Sequence, residues 1–227
     1  MCERAGPRVA QHVSLQYAAV PAQPWVSLEG RWLPRLPPGK RAQVERLRHA
    51  SGRNASLLGI ALLEQALAAL GLGLDPAALE FPQRGKPRMP GGPDFSISHT
   101  DGCVAAAVAD HGRLGLDLEP AGAVAAATLR RVLSAAECER LARGEFAPTD
   151  AWVMKEAVVK LAGRGIGALA SVALGDGSAR LGTEVFHLQR VPVGAGFVGW
   201  LATDAGSCSV HSTHAALETL APLPPAP

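Results

Sequence analysis

Two short stretches concentrate residue types from which an active centre can be built: Gly115–Glu119, GLDLE, and Trp152–Gly165, WVMKEAVVKLAGRG. In the first, Asp117 and Glu119 are two apart in an alternating apolar/acidic run. In a strand both carboxylates therefore project from one face, where they repel each other unless a cation or positive group sits between them. In the second, Met154, Val158, Leu161 and Ala162 follow the i, i+4, i+7, i+8 spacing of one helix face. Glu156 and Lys160 are four apart and share a face, while Lys155 projects roughly 100° away around the axis. With Glu156 brought beside Asp117 and Glu119, three carboxylates form an all-oxygen set suited to a hard divalent ion such as Mg²⁺. On the helix alone, a surface ion pair between Glu156 and Lys160 explains the spacing equally well.

The elements that must hold these residues are legible in outline. Asp150 is a candidate N-cap for the helix and Gly163 and Gly165 end it. Pro120 stops the acidic strand. Upstream, Phe95–His99 (FSISH) and Cys103–Ala109 (CVAAAVA) read as a hairpin around Thr100-Asp101-Gly102. His99 sits at the strand end, and a lone histidine there is more commonly structural than catalytic. Ser56–Leu70 is apolar on nearly all sides, a buried helix ending at Gly71. Ser56 is placed to cap it, and Arg53 beside its N-terminus suits an anionic phosphate.

Arg31–Arg53 is the most basic segment, which fits either a solvated face or a phosphate-binding patch. Gly85-Lys86-Pro87 reads as a rigid turn whose backbone a flat ligand can approach. Ser134 and Glu137 have capping-box spacing. Val13–Leu28 reads as one or two short strands, and β character returns at Val172–Leu174, Thr183–Leu188, Phe197–Thr203 and, more weakly, Ser209–Thr213. Residues 1–12 and the terminal LAPLPPAP read as flexible.

A chain of 227 residues can bury a substantial core. Its net charge of +2 and its few aromatics count against a nucleic-acid binder. Cys2, Cys103, Cys138 and Cys208 show no CxxC spacing and read as reduced thiols. The N-terminus lacks a signal-peptide core, and no uncharged apolar run reaches membrane-spanning length. The expectation is a cytoplasmic protein acting as a monomer, with no nucleic-acid or membrane partner.

Taken in order, GKP (85–87), FSISH (95–99), GLDLE (115–119) and WVMKEAVVKLAGRG (152–165) resemble the Sfp-type 4′-phosphopantetheinyl transferases. That family's signature pairs a G-x-D-x-E strand with a W-x-x-K-E-x-x-x-K helix. Gly115, Asp117 and Glu119 match the first, and Trp152, Lys155, Glu156 and Lys160 match the second. The resemblance implies an α+β fold, a pseudo-dimer of two similar α+β halves with the active site in the cleft between them. The expected halves are residues 1–110, on the adenine and 3′-phosphate side of coenzyme A, and 111–227, with the metal ligands, the catalytic helix and a flexible tail at 220–227.

It also implies a reaction: transfer of the 4′-phosphopantetheine arm of coenzyme A to a serine of an acyl or peptidyl carrier protein, with release of adenosine 3′,5′-bisphosphate. The carriers so converted serve fatty-acid, polyketide or nonribosomal-peptide synthesis. By this resemblance Asp117, Glu119 and Glu156 hold Mg²⁺, and Glu156, Lys160 and Lys155 form the catalytic set, with Glu156 a candidate base. Arg53, Ser56, Gly85, Lys86, Pro87, Ser98 and His99 then contact the co-substrate, and Arg130 and Arg131 are placed to meet an acidic carrier. A coenzyme A-binding module without catalysis is the competing reading. Retention of all three carboxylates and of Lys160 argues against it.

Overall fold

Two helices apolar on nearly every side set the architecture, because each must be covered all round. The computed structural model describes residues 10–83, 85–206 and 208–221. The first part of the chain forms β1 (Gln11–Ala19), α1 (Val26–Trp32), α2 (Pro38–Glu45), α3 (Ala50–Ala68), β2 (Phe95–Thr100), β3 (Cys103–Ala109) and β4 (Leu114–Pro120). The remainder forms α4 (Ala126–Leu129), α5 (Ala135–Ala142), α6 (Pro148–Leu161), β5 (Val172–Leu174), β6 (Ser178–Leu181), β7 (Glu184–Val191), β8 (Phe197–Thr203), β9 (Cys208–His214) and α7 (Leu217–Leu220). This is the expected α+β class, with strands in two sheets ordered β2-β3-β1-β9 and β4-β8-β7-β6-β5.

Three clusters of buried side chains divide the core. One surrounds α3 and takes Leu28 and Trp32 from α1, Val44 from α2 and Val104, Ala106 and Val108 from β3. A second lies between the sheets, where Cys103, Ala105, Ala107 and Ala109 of β3 meet Leu114, Leu116 and Leu118 of β4. The third packs α6 on the other face of the second sheet, against Phe186, Leu188 and Ala202. The period of two therefore assigns alternate residues of β3 to different cores. With both faces covered, the whole strand is buried, and its small alanines allow close approach on either side.

Several elements depart from the sequence reading. Val26–Leu28 is helical, not extended, because Leu28 and Trp32 point together into the α3 core. α3 begins six residues before Ser56, so Ser56 lies inside the helix and does not cap it. Its first turns are polar and anchored differently: buried Asn54 donates from Nδ2 to the carbonyls of Pro21 and Gln23, each at 2.8 Å. Asp150 lies within α6 after Pro148, with its carboxylate accepting from Trp200 Nε1 at 2.7 Å in place of capping.

At the other end, β9 returns to pair parallel with β1 in the first sheet, and Leu220 and Ala221 are buried in the α3 core. β9 thus completes the first sheet, and Leu220 and Ala221 belong to the core and not to a tail. Residues 222–227 lie outside the described residues. Parallel partners lie far apart in the sequence, so β9 carries no local sign of its pairing.

Gly115 fixes how β4 meets α6. A Cβ there would stand 2.1 Å from the Ala157 carbonyl oxygen and 2.5 Å from Leu161 N. Both are helix backbone atoms that cannot swing aside. Gly115→Ala should therefore destabilise the protein by about 3 kcal/mol or more, at or beyond the upper end of ordinary overpacking costs, read as a fall in the urea midpoint. An unchanged midpoint contradicts this packing.

Candidate active site

The close crossing at Gly115 lays the acidic end of β4 alongside α6. Asp117 is 2% exposed, and its Oδ1 accepts from Ser98 Oγ at 2.9 Å and from Lys160 Nζ at 2.6 Å. Its Oδ2 is buried without a protein partner. Glu119 Oε2 accepts from Thr100 Oγ1 at 2.8 Å. Carboxylate oxygens of Asp117, Glu119 and Glu156 all lie within 4.8 Å of one another. Burial first, then the charge of Asp117 and more weakly that of Glu119, push the Glu156 carboxyl up to about 7 against the opposing pull of Lys160. An orphaned buried oxygen, oxygen-only donors and excess negative charge all fit a hard divalent cation.

Lys160 does not pair simply with Glu156, as helical spacing alone would have it. Its ammonium also donates to Ser98 Oγ at 2.8 Å and so bridges β2 to β4. That bridge belongs to a series of side-chain contacts. Lys86 Nζ donates to Asp94 Oδ2 at 2.5 Å and to the Leu114 carbonyl at 2.6 Å, and Leu114 N donates to the same Asp94 oxygen. Leu116 N donates to Ser96 Oγ at 3.0 Å, and Ser98 and Thr100 then engage the two carboxylates.

Beside these groups opens a cavity of about 720 Å³ lined by Gly85, Lys86, Pro87, Ile97, Glu156 and Lys160, with Arg164 and Ile166 at the turn after α6. A second groove of similar volume shares Gly85 and Pro87 and adds Lys40, Arg46 and Phe81. The Lys40 ammonium lies 5.1 Å from the Phe81 ring centroid, and burial lowers its pKa. His99 is exposed at the end of β2. Partial desolvation, then the charges of Lys160 and Lys40, lower its pKa and favour the neutral ring.

The structure thus brings Asp117, Glu119, Glu156, Lys160, Ser98 and the Gly85–Pro87 turn together. It places three other expected residues elsewhere. Lys155 is fully buried away from the carboxylates, donating to Glu137 Oε2 at 2.9 Å and to the Val172 carbonyl at 2.5 Å. Glu137 also accepts from Ser134 N and Leu174 N, so this pair ties α5 and β5 to α6. Burial opposes the charge on both groups. The backbone donors and Lys155 nevertheless keep the Glu137 carboxyl below its usual range, while the Lys155 ammonium is also lowered. Arg53 is committed to Glu29 at 2.9 Å and to the Leu47 carbonyl, and neither it nor Ser56 lines the two cavities. Lys40 and Arg46 supply the basic groups beside the Gly85–Pro87 turn instead. The rotation of Lys155 off the Glu156 face is visible in the sequence, whereas the orientation of Arg53 depends on α1.

Residues 113–221 match a family model described as the 4′-phosphopantetheinyl transferase superfamily. The chain is also similar to the 4′-phosphopantetheinyl transferase psf-1 of Bacillus pumilus, at 31% identity over 161 residues covering 67% of each protein.

Two outcomes follow from this geometry. Lys155→Met leaves the Glu137 carboxylate buried and unpaired, so it should cost about 3–5 kcal/mol in urea unfolding. Near wild-type stability with lost turnover would instead place Lys155 in the chemistry. Because the Glu156 carboxyl is raised from 4.5 to about 7 on folding, it penalises the fold increasingly as pH rises across that interval and constantly above it. In chelator-containing buffer, Glu156→Gln should therefore gain stability relative to wild type between pH 4.5 and 7. A stability difference that does not vary with pH over that interval contradicts the assignment.

Proposed function

The chain belongs to the 4′-phosphopantetheinyl transferase superfamily, and we propose that it moves the phosphopantetheine arm of coenzyme A onto a serine of an acyl or peptidyl carrier protein. The observation that carries this reading is the meeting of Asp117, Glu119, Glu156 and Lys160 at a cleft whose other wall is the Gly85–Pro87 turn. The serine oxygen attacks the pyrophosphate phosphorus that bears the pantetheine arm. The bridging P–O bond breaks, adenosine 3′,5′-bisphosphate leaves, and the serine proton passes to a base. Such transfer depends on charge neutralisation and alignment more than on covalent help from the protein.

Glu156 is the candidate base because it faces the cleft beside Lys160, where the serine would enter. With Mg²⁺ bound, its carboxyl would fall below the raised value of the metal-free site. Lys160, held by Asp117 and Ser98, donates to a phosphate oxygen as charge develops there. Apolar Ile97, Val159 and Leu169 line the same cavity and limit water around that contact. Lys40, Arg46 and His99 offer donors to the phosphates, and the Gly85–Pro87 backbone is open to a flat base. Mg²⁺ held by Asp117, Glu119 and Glu156 would neutralise the pyrophosphate and stabilise the leaving group. Exposed Arg130 and Arg131 give an acidic carrier a positive approach.

Incubation with apo carrier protein, coenzyme A and Mg²⁺ should add about 340 Da to the carrier by intact mass, a covalent modification of serine, and EDTA should prevent it. Glu156→Gln and Lys160→Ala should each slow transfer at least about 100-fold while remaining folded. No mass gain on fatty-acid, polyketide or peptidyl carriers, with coenzyme A still bound, would favour a binding module. Near wild-type turnover in Glu156→Gln would remove that residue from the mechanism.

A further inference from the structure

Glu119 lies next to the last residue of β4, and its side chain is only partly buried. Its own strand therefore leaves the carboxylate free to rotate. The constraint comes from β2. Thr100 Oγ1 donates to Glu119 Oε2 at 2.8 Å, while Ser98, two residues earlier on the same face of β2, donates to Asp117. Thr100 is itself held where β2 meets the hairpin turn, paired across the hairpin with Cys103. Its β-branched side chain has restricted χ1 freedom, so the hydroxyl is presented from a stiff support. Among the described residues, Glu119 Oε1 has no hydrogen-bond partner, and a Glu119 carboxylate oxygen lies within 4.8 Å of oxygens of Asp117 and Glu156.

We infer that Thr100 is a positioning residue for the cation site: its hydroxyl occupies one oxygen of Glu119 and turns the other toward Asp117 and Glu156. This rests on the reading of those three carboxylates as cation ligands. Partners that orient ligating carboxylates typically affect metal affinity by about 10–100-fold, and Thr100 acts at that level, without touching the reacting atoms.

The test is titration of the full chain with Mn²⁺ alone, following the free-ion electron paramagnetic resonance signal in the absence of coenzyme A and carrier. Thr100→Val keeps the branched shape and removes the donor, and Thr100→Ala is a second donor-free variant. Thr100→Ser restores a hydroxyl. Melting midpoints verify that each is folded. The expected result is a Kd for Mn²⁺ raised about tenfold in the Val and Ala variants and within about threefold of wild type in the Ser variant. In turnover, the half-saturating Mg²⁺ concentration should rise in parallel with little change in KM for coenzyme A.

Equal Mn²⁺ affinity in wild type and both donor-free variants overturns the inference. Asp117→Asn separates its failure from failure of the cation reading. If Asp117→Asn weakens Mn²⁺ binding and Thr100→Val does not, the cation site stands and the role of Thr100 falls. If wild type binds no Mn²⁺, or Asp117→Asn binds as well as wild type, both fall.

Discussion

β2 and β4 lie side by side in different sheets, and polar side chains join them where a backbone ladder would in a continuous sheet. Asp94, Ser96, Ser98 and Thr100 all face one way along β2 and meet successive positions of β4. The first two hold the β4 backbone in register, and the last two hold its carboxylates. Individually such bonds contribute about 0.5–1.5 kcal/mol, more where a charge is involved. Their larger effect is geometric. They couple the Gly85–Pro87 turn, through Lys86 and Asp94, to the acidic residues at the far end of the same strand. The two ends of the cleft are thus spaced by one set of contacts.

That arrangement concentrates like charge. Asp117 is buried with one oxygen unpartnered, and Glu156 is forced toward neutrality by burial and by its acidic neighbours. A fold selected for stability alone would not keep these groups together. Lys160 relieves the conflict only in part, because its single charge is shared between Asp117 and Ser98 while Glu156 remains raised. The buried Lys155–Glu137 pair joins α6 to α5 away from this cluster and answers a different need. It satisfies the start of α5 and the backbone of β5, anchoring the side of α6 that the cleft does not use.

Much of this was legible in the sequence because it is periodic. The two-residue spacing of Asp117 and Glu119 and the four-residue spacing of Glu156 and Lys160 each survive folding as a shared face. The polar alternation of Asp94, Ser96, Ser98 and Thr100 carried the same kind of signal. Its meaning depended on knowing that β4 runs beside β2, a tertiary fact with no local trace. Arg53 and Ser56 illustrate the opposite case. Residue type favoured a phosphate site, but α3 begins earlier than its apolar pattern, and Glu29 on α1 takes the guanidinium. The reach of Lys155 to Glu137 was hidden similarly, since a capping box explains Glu137 without requiring a buried lysine.

The return of β9 to the first sheet has a consequence for biosynthesis. β1 lies between β3 and β9, and Leu220 and Ala221 close the same core. As the chain leaves the ribosome, β1 can pair with β3 early, but its other edge has no partner until β9 emerges. An unpaired edge is a template for association with other chains. Completion of the first sheet therefore waits for β9, and a chain truncated before β9 exposes that edge together with part of the α3 core.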